Sequence, residues 1–244
     1  LFGEAGKRDG SDYNSLINEN PALRKYYLAD RDRTKVGTSI DVMATEKLFL
    51  SARVDYNMDD YSNSTIGLTE ATQPVYTVDF SYQPRHNITT YGYYTHETIE
   101  SSQTGSALGT TTADWQADFE DSFDTVGLGA KWTDLGKWDV GADIVLSKSG
   151  GSSEMTDLSL TSVAGQYPDT RTELTSVKLW TDYHHSKQLV YKLGLWFEEY
   201  SADNWAIDGL APYDPADVEN TLLLGNETLD YNVYVISVSA SYRY

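Results

Sequence analysis

The sequence predicts an all-β protein, and specifically an antiparallel transmembrane β-barrel. Apolar and polar residues alternate with a period of two through most of the 244 residues, and helical periodicity is nearly absent. The connections between these segments are by turns short and long. Aromatic residues gather at segment ends beside the short connections, where an interfacial girdle belongs.

The chain opens on Leu1–Pro21, rich in Gly, Asp and Asn, and residues 1–23 read as an extracellular loop segment, with 24–244 as barrel strands. Val36, Thr38, Ile40 and Val42 then oppose Gly37, Ser39 and Asp41. Leu48, Leu50, Ala52, Val54 and Tyr56 oppose Ser51, Arg53, Asp55 and Asn57. Tyr76, Val78, Phe80 and Tyr82 oppose Thr77, Asp79 and Ser81. A strand near Ile88–Glu97 follows, but Tyr91, Tyr93 and Tyr94 leave its facing open. Val126, Leu128, Ala130 and Trp132 oppose Gly127, Gly129 and Lys131, and Trp138, Val140, Ala142, Ile144 and Leu146 oppose Asp139, Gly141, Asp143 and Ser147. Val177, Leu179 and Tyr183 mark a strand near Glu173–Tyr183, and Leu189, Tyr191, Leu193, Leu195 and Phe197 oppose Lys192, Gly194, Trp196 and Glu198. The clearest case is the last, where Tyr234, Ile236, Val238, Ala240, Tyr242 and Tyr244 oppose Val235, Ser237, Ser239, Ser241 and Arg243. Each pattern sets one face against an apolar medium and the other against a polar one.

These make about nine strands of about ten residues, the length that crosses a bilayer when tilted. Short connections at Thr45–Lys47, Pro84–Asn87, Thr133–Lys137 and His184–Gln188 read as periplasmic turns. Asp59–Thr72, Ser101–Asp121, Lys148–Thr170 and Ser201–Thr228 read as extracellular loops. An odd, one-ended set does not close into the usual even barrel, so the chain reads as the C-terminal part of a larger one. It starts at Leu1 without a signal peptide, as a processed chain or a piece does. A soluble β-sandwich would also alternate, but it does not predict the short/long rhythm.

Composition narrows the function. Lys and Arg number 18 against 37 Asp and Glu, a net charge of −19, which excludes a nucleic-acid partner. Tyr is abundant at 19, with 6 Trp, and Cys is absent. Without Cys the chain holds no disulfide, no thiolate zinc and no covalent c-type haem. No run approaches the ~18 apolar residues of a membrane helix.

The stretch Arg24-Lys25-Tyr26-Tyr27-Leu28-Ala29-Asp30-Arg31-Asp32-Arg33 with Lys35-Val36-Gly37 resembles the decahaem-cytochrome-associated outer-membrane barrels of the MtrB/PioB type, in their C-terminal portion. Asp59-Asp60-Tyr61, Ile66-Gly67-Leu68-Thr69, Asn87–Tyr94 and Val126–Trp132 add to the likeness, which runs along most of the chain. The resemblance implies a bacterial outer-membrane barrel that sheathes and positions a periplasmic multihaem c-type cytochrome. That cytochrome would pass electrons to an extracellular multihaem partner, and the haem would be carried by the partners rather than by the barrel.

The residues expected to face the lumen and its occupant are Thr77, Asp79, Ser81, Gly127, Gly129, Lys131, Gly141, Asp143, Lys192, Gly194, Trp196, Ser237, Ser239 and Arg243. Their small side chains leave room for close approach by another protein; relief of strand twist is the plainer use of glycine. Tyr242 and Tyr244 resemble the C-terminal signal that directs barrel assembly. Calcium is a candidate ligand of loop carboxylates, with Asp59, Asp60, Asp118 and Asp121 as the residues. His86, His184 and His185 sit in polar turns, and Asn63-Ser64-Thr65, Asn87-Ile88-Thr89 and Asn226-Glu227-Thr228 match a glycosylation pattern by chance. No catalytic site is expected. The alternatives are a porin or substrate-specific transporter and, from a different class, an outer-membrane hydrolase using His96 with Ser101 or Ser102, which has no evident orienting group or oxyanion hole.

Overall fold

The computed structural model describes residues 1–10, 20–61, 63–107, 109–158, 163–205 and 230–243. The strands in chain order are β1 (Phe2–Arg8), β2 (Leu23–Arg24), β3 (Arg31–Thr45), β4 (Leu48–Asp60), β5 (Ile66–Arg85) and β6 (Ile88–Gly105). They continue with β7 (Trp115–Leu135), β8 (Trp138–Asp157), β9 (Val163–Gln166), β10 (Thr170–His184), β11 (Leu189–Asp203) and β12 (Tyr231–Tyr242). All belong to one sheet, in the order β1-β3-β4-β5-β6-β7-β8-β10-β11-β12. Neighbours on that path are antiparallel; β9 adds to β8, and β2 lies parallel to the start of β5.

Period-two alternation dictates this sheet, because side chains that alternate across a strand give it two unlike faces. Directly opposed residues share a face, so the registers join the single strands into two continuous surfaces. Ala52 pairs with Val78, Val78 with Tyr94, Tyr94 with Val126, Val126 with Leu146, Leu179 with Leu195 and Leu195 with Ile236. This apolar face is uncovered: Tyr234, Ile236 and Val238 are 76%, 73% and 76% exposed. The hydrophobic residues buried among those described are Ala29, Tyr61, Ile66 and Ala117, far from enough for a water-soluble core. A single layer with one bare apolar face needs lipid against it, which disposes of the sandwich.

Three sequence expectations are corrected. Residues 1–23 are not simply a loop, since Phe2–Arg8 pairs along its length with β3. Phe2, Glu4, Gly6 and Arg8 on one side and Gly3, Ala5 and Lys7 on the other form no apolar face, so no alternation announced the strand. With it the main path holds ten strands rather than nine. The first three long connections are also mostly strand, and most of the fourth, Ser201–Thr228, lies outside the described residues. β5 to β8 run 20, 18, 21 and 20 residues, so Ile66–Thr72, Ser101–Gly105, Trp115–Asp121 and Lys148–Asp157 continue the ladder. Backbone hydrogen bonds hold these rungs whatever the side chains are, but their outward residues are polar and the period-two contrast fades. At the other end the hairpins are tight; between β7 and β8, Asp134 and Gly136 adopt φ of 58° and 69° to reverse the chain.

Candidate functional site: the polar face and the loop-side rim

The residues expected to face the lumen fall on one surface. Ser81 pairs with Tyr91, Tyr91 with Gly129, Gly129 with Asp143, Asp143 with Lys178, and Lys178 with Trp196. One rung below, Lys131 pairs with Gly141, Gly141 with Trp180, Trp180 with Gly194, and Gly194 with Ser237. Asp79 and Thr77 lie on it opposite Tyr93 and Thr95, and Lys192 faces Ser239. Arg243, just past β12, donates its backbone N–H to Gln188 at 2.9 Å. The strand whose facing the sequence left open is settled here, with Tyr91 and Tyr93 on the polar face and Tyr94 on the apolar one.

The glycines on this face are not empty clefts. A Cβ on Gly127 would overlap the Tyr93 ring, one on Gly129 the Tyr91 ring, and one on Gly141 the Trp180 indole. Aromatic rings from the neighbouring strand therefore lie over them. At these three positions the wall itself fills the space beside the glycine. Gly194 has the Ser237 hydroxyl rather than a ring against it. Sequence reasoning missed this pairing because it joins residues on different strands, so it follows from register.

Several charges on this face are satisfied sideways. Lys192 reaches Asp182 at 2.9 Å, and Arg53 pairs with Asp55. Tyr91 donates its hydroxyl hydrogen to Asp143, and Lys178 lies 4.8 Å over the Trp196 ring. The Trp196 indole N–H in turn donates to Ser176 Oγ at 2.9 Å. Asp182, Trp180, Lys178 and Ser176 were not singled out from the sequence, although their alternation with Leu179 and Val177 carries the signal.

The loop-side rim differs. Past Asp124 the outward side chains of β7 are Ser122, Glu120, Asp118 and Gln116, facing Thr98, Glu100, Ser102 and Thr104 of β6. The calcium candidates do not converge: Asp59 and Asp60 are successive residues of β4 and point to opposite faces, as do Asp118 and Asp121 of β7. Among the described residues no group of three or more His, Asp or Glu is arranged to hold a metal. Asp59 instead takes a two-pronged hydrogen bond from Arg33, with Arg31 at 3.7 Å. The Arg33 hydrogen bond holds its carboxyl below the usual range, on rungs beyond the apolar band. The hydrolase arrangement is also absent. His96 binds Asp124 at 2.9 Å, Ser101 lies on the other face, and Ser102 is about 20 Å along the same strand from His96 at ~3.3 Å per residue.

A family profile described as outer membrane beta-barrel porin, MtrB/PioB, matches residues 1–244. The chain belongs to the MtrB/PioB family. It is 30% identical over 247 residues to the outer membrane protein MtrB of Shewanella baltica (strain OS185), covering 99% of this chain and 34% of that relative. It thus spans about a third of the length of the relative it matches. Among solved structures, the copper transporter OprC is similar at a TM-score of 0.68 and 7% identity, covering 98% of this chain and 37% of that one. The alcaligin outer membrane receptor FauA of Bordetella pertussis reaches 0.57 at 11% identity, covering 88% and 33%. At such identities these likenesses speak for the fold alone. An outer-membrane β-barrel wall is what the bare apolar face requires, and the chain is an outer-membrane protein. Tyr242 is outward and 60% exposed; Tyr244 lies outside the described residues.

Proposed function

We propose that the polar face lines the lumen of a larger barrel and sheathes a periplasmic multihaem c-type cytochrome, positioning it to pass electrons to an extracellular haem protein. The observation that carries this is the flatness of the wall. Rings lie over three of the glycines and several charges pair within the wall, so much of the surface meets an occupant with groups that are already satisfied. A protein can be enclosed by such a wall without leaving buried charges unpaired. The barrel contributes enclosure and registration, and the redox groups belong to its partners.

A porin or transporter is the second reading. It is favoured by the mixture of both charge signs on the polar face, where Lys178 stands directly across from Asp143. The visible spectrum of the protein purified in mild detergent separates the two. Reducible c-type haem bands at fixed stoichiometry are the expected result with dithionite. A colourless folded barrel that conducts ions would overturn the conduit reading and leave the porin.

A further inference from the structure

The outward face carries glycines too, and one of them is bare. A Cβ on Gly92 would strike Leu128 and Phe80, but one on Gly150 of β8 would meet only the Thr170 carbonyl, at 4.0 Å. Gly150 pairs with Ser122 on one side and Arg171 on the other, so that outward rung has little bulk at its middle. The result is a groove of about 460 Å³ across β7, β8 and β10, bordered by Glu120, Asp124 and Lys148 and by Asp169 and Arg171.

Its height in the wall narrows what can fill it. The last apolar pair below it on β7 and β8 is Val126 with Leu146, and Leu146 is 46% exposed. Gly150 lies four residues further along β8. That is about 13 Å at ~3.3 Å per residue, or about 10 Å along the membrane normal for a tilted strand. The groove therefore opens at the level of lipid headgroups, with acyl chains directly beneath it against Val126, Leu146 and Ile144.

The charges select among headgroups. On the loop side of the apolar band, β5 to β12 hold two Lys or Arg residues, Lys148 and Arg171, and both border this groove. Lys148 Nζ lies 3.0 Å from Glu173 Oε1, with the two side chains 64% and 62% exposed, and such a pair is weak enough to exchange partners. Arg171 stands between Gly150 and Asp203 without an ion pair among the described residues. Carboxylates outnumber these cations, with Glu120, Asp124, Asp169, Glu173 and Asp203 around them. A bare anion or an acidic protein is therefore turned away. A phosphorylated sugar is not, because its phosphate needs N–H donors while its hydroxyls need acceptors. Asp124 is engaged by Tyr94 and His96, which leaves Glu120 and Asp169 to accept from hydroxyls.

We propose that this groove seats the phosphorylated glucosamine headgroup of one outer-leaflet lipopolysaccharide. Its phosphate lies on Lys148 and Arg171, its hydroxyls on Glu120 and Asp169, and its acyl chains over Leu146 and Ile144. The site stands on the outer-membrane placement of the chain and is independent of what the lumen encloses. The test is native mass spectrometry of the full-length barrel, purified in mild detergent from its own membrane and washed free of loose lipid. One retained lipopolysaccharide per barrel is expected. Lys148→Glu combined with Arg171→Glu should lower the retained fraction at least tenfold. Gly150→Leu should do the same, since it fills the groove and leaves both cations in place. Lys137→Glu, a charge reversal in a periplasmic turn, should leave retention unchanged, and heat-dependent gel mobility shows that each variant is folded. The stripped wild-type barrel, which needs no variant, should rebind phosphorylated lipid A in preference to its dephosphorylated form, and excess inorganic phosphate should not displace it. A barrel free of lipopolysaccharide, retention that survives both groove variants, or equal binding of the dephosphorylated lipid overturns the proposal. Displacement by inorganic phosphate also overturns it, in favour of a simple anion site.

Discussion

Gly129 shows what a single position contributes to this wall. Its missing side chain is the seat of the Tyr91 ring, whose hydroxyl then reaches Asp143 on the next strand. Gly129→Ala should displace that ring and cost about 1–3 kcal/mol, the usual range for overpacking. The same substitution made in a Tyr91→Ala background should cost less, with a coupling of about 0.5–3 kcal/mol. Urea unfolding of the barrel in detergent reads both, and additive losses would show that ring and glycine are energetically independent. The polar-face residues were legible in the sequence because each strand alternates on its own. Their ring-on-glycine partners were not, since two residues on different strands meet only once the register is known. Asp59 and Asp60 illustrate the converse error: neighbours in sequence look like a ligand pair until alternation sends them to opposite faces.

The elements most visible in the sequence were the parts of strands that cross lipid. From Val126 to Trp132 the contrast between faces is strong, and from Trp115 to Asp124 of the same strand it is weak because the outward side chains become polar. β1 escaped notice for the same reason. The boundary between these regimes makes a labelling prediction. This chain has no Cys, so single cysteines in it report cleanly. Cysteines replacing Glu100 or Asp118 should react with a membrane-impermeant maleimide added to intact cells, and cysteines replacing Leu128 or Ile144 should not. Equal labelling at all four positions would mean that the apolar face is not against lipid.

Taken whole, the sheet is open. β1 and β12 each have one paired neighbour among the described strands, and an unpaired edge is untenable in hydrocarbon. The 244-residue chain produced by itself should therefore show no heat-dependent gel mobility; a shift on boiling would mean that this sheet closes on itself. The order of the strands follows the order of the chain, and this bears on how the wall is made. Each hairpin can be laid beside the one before it without waiting for a distant segment, so loop-closure entropy is spent in small instalments and the search stays local. Growth of that kind works as a zipper. A fault at one turn, such as the left-handed Asp134 and Gly136 between β7 and β8, would halt every strand still to be added while leaving those already in place intact.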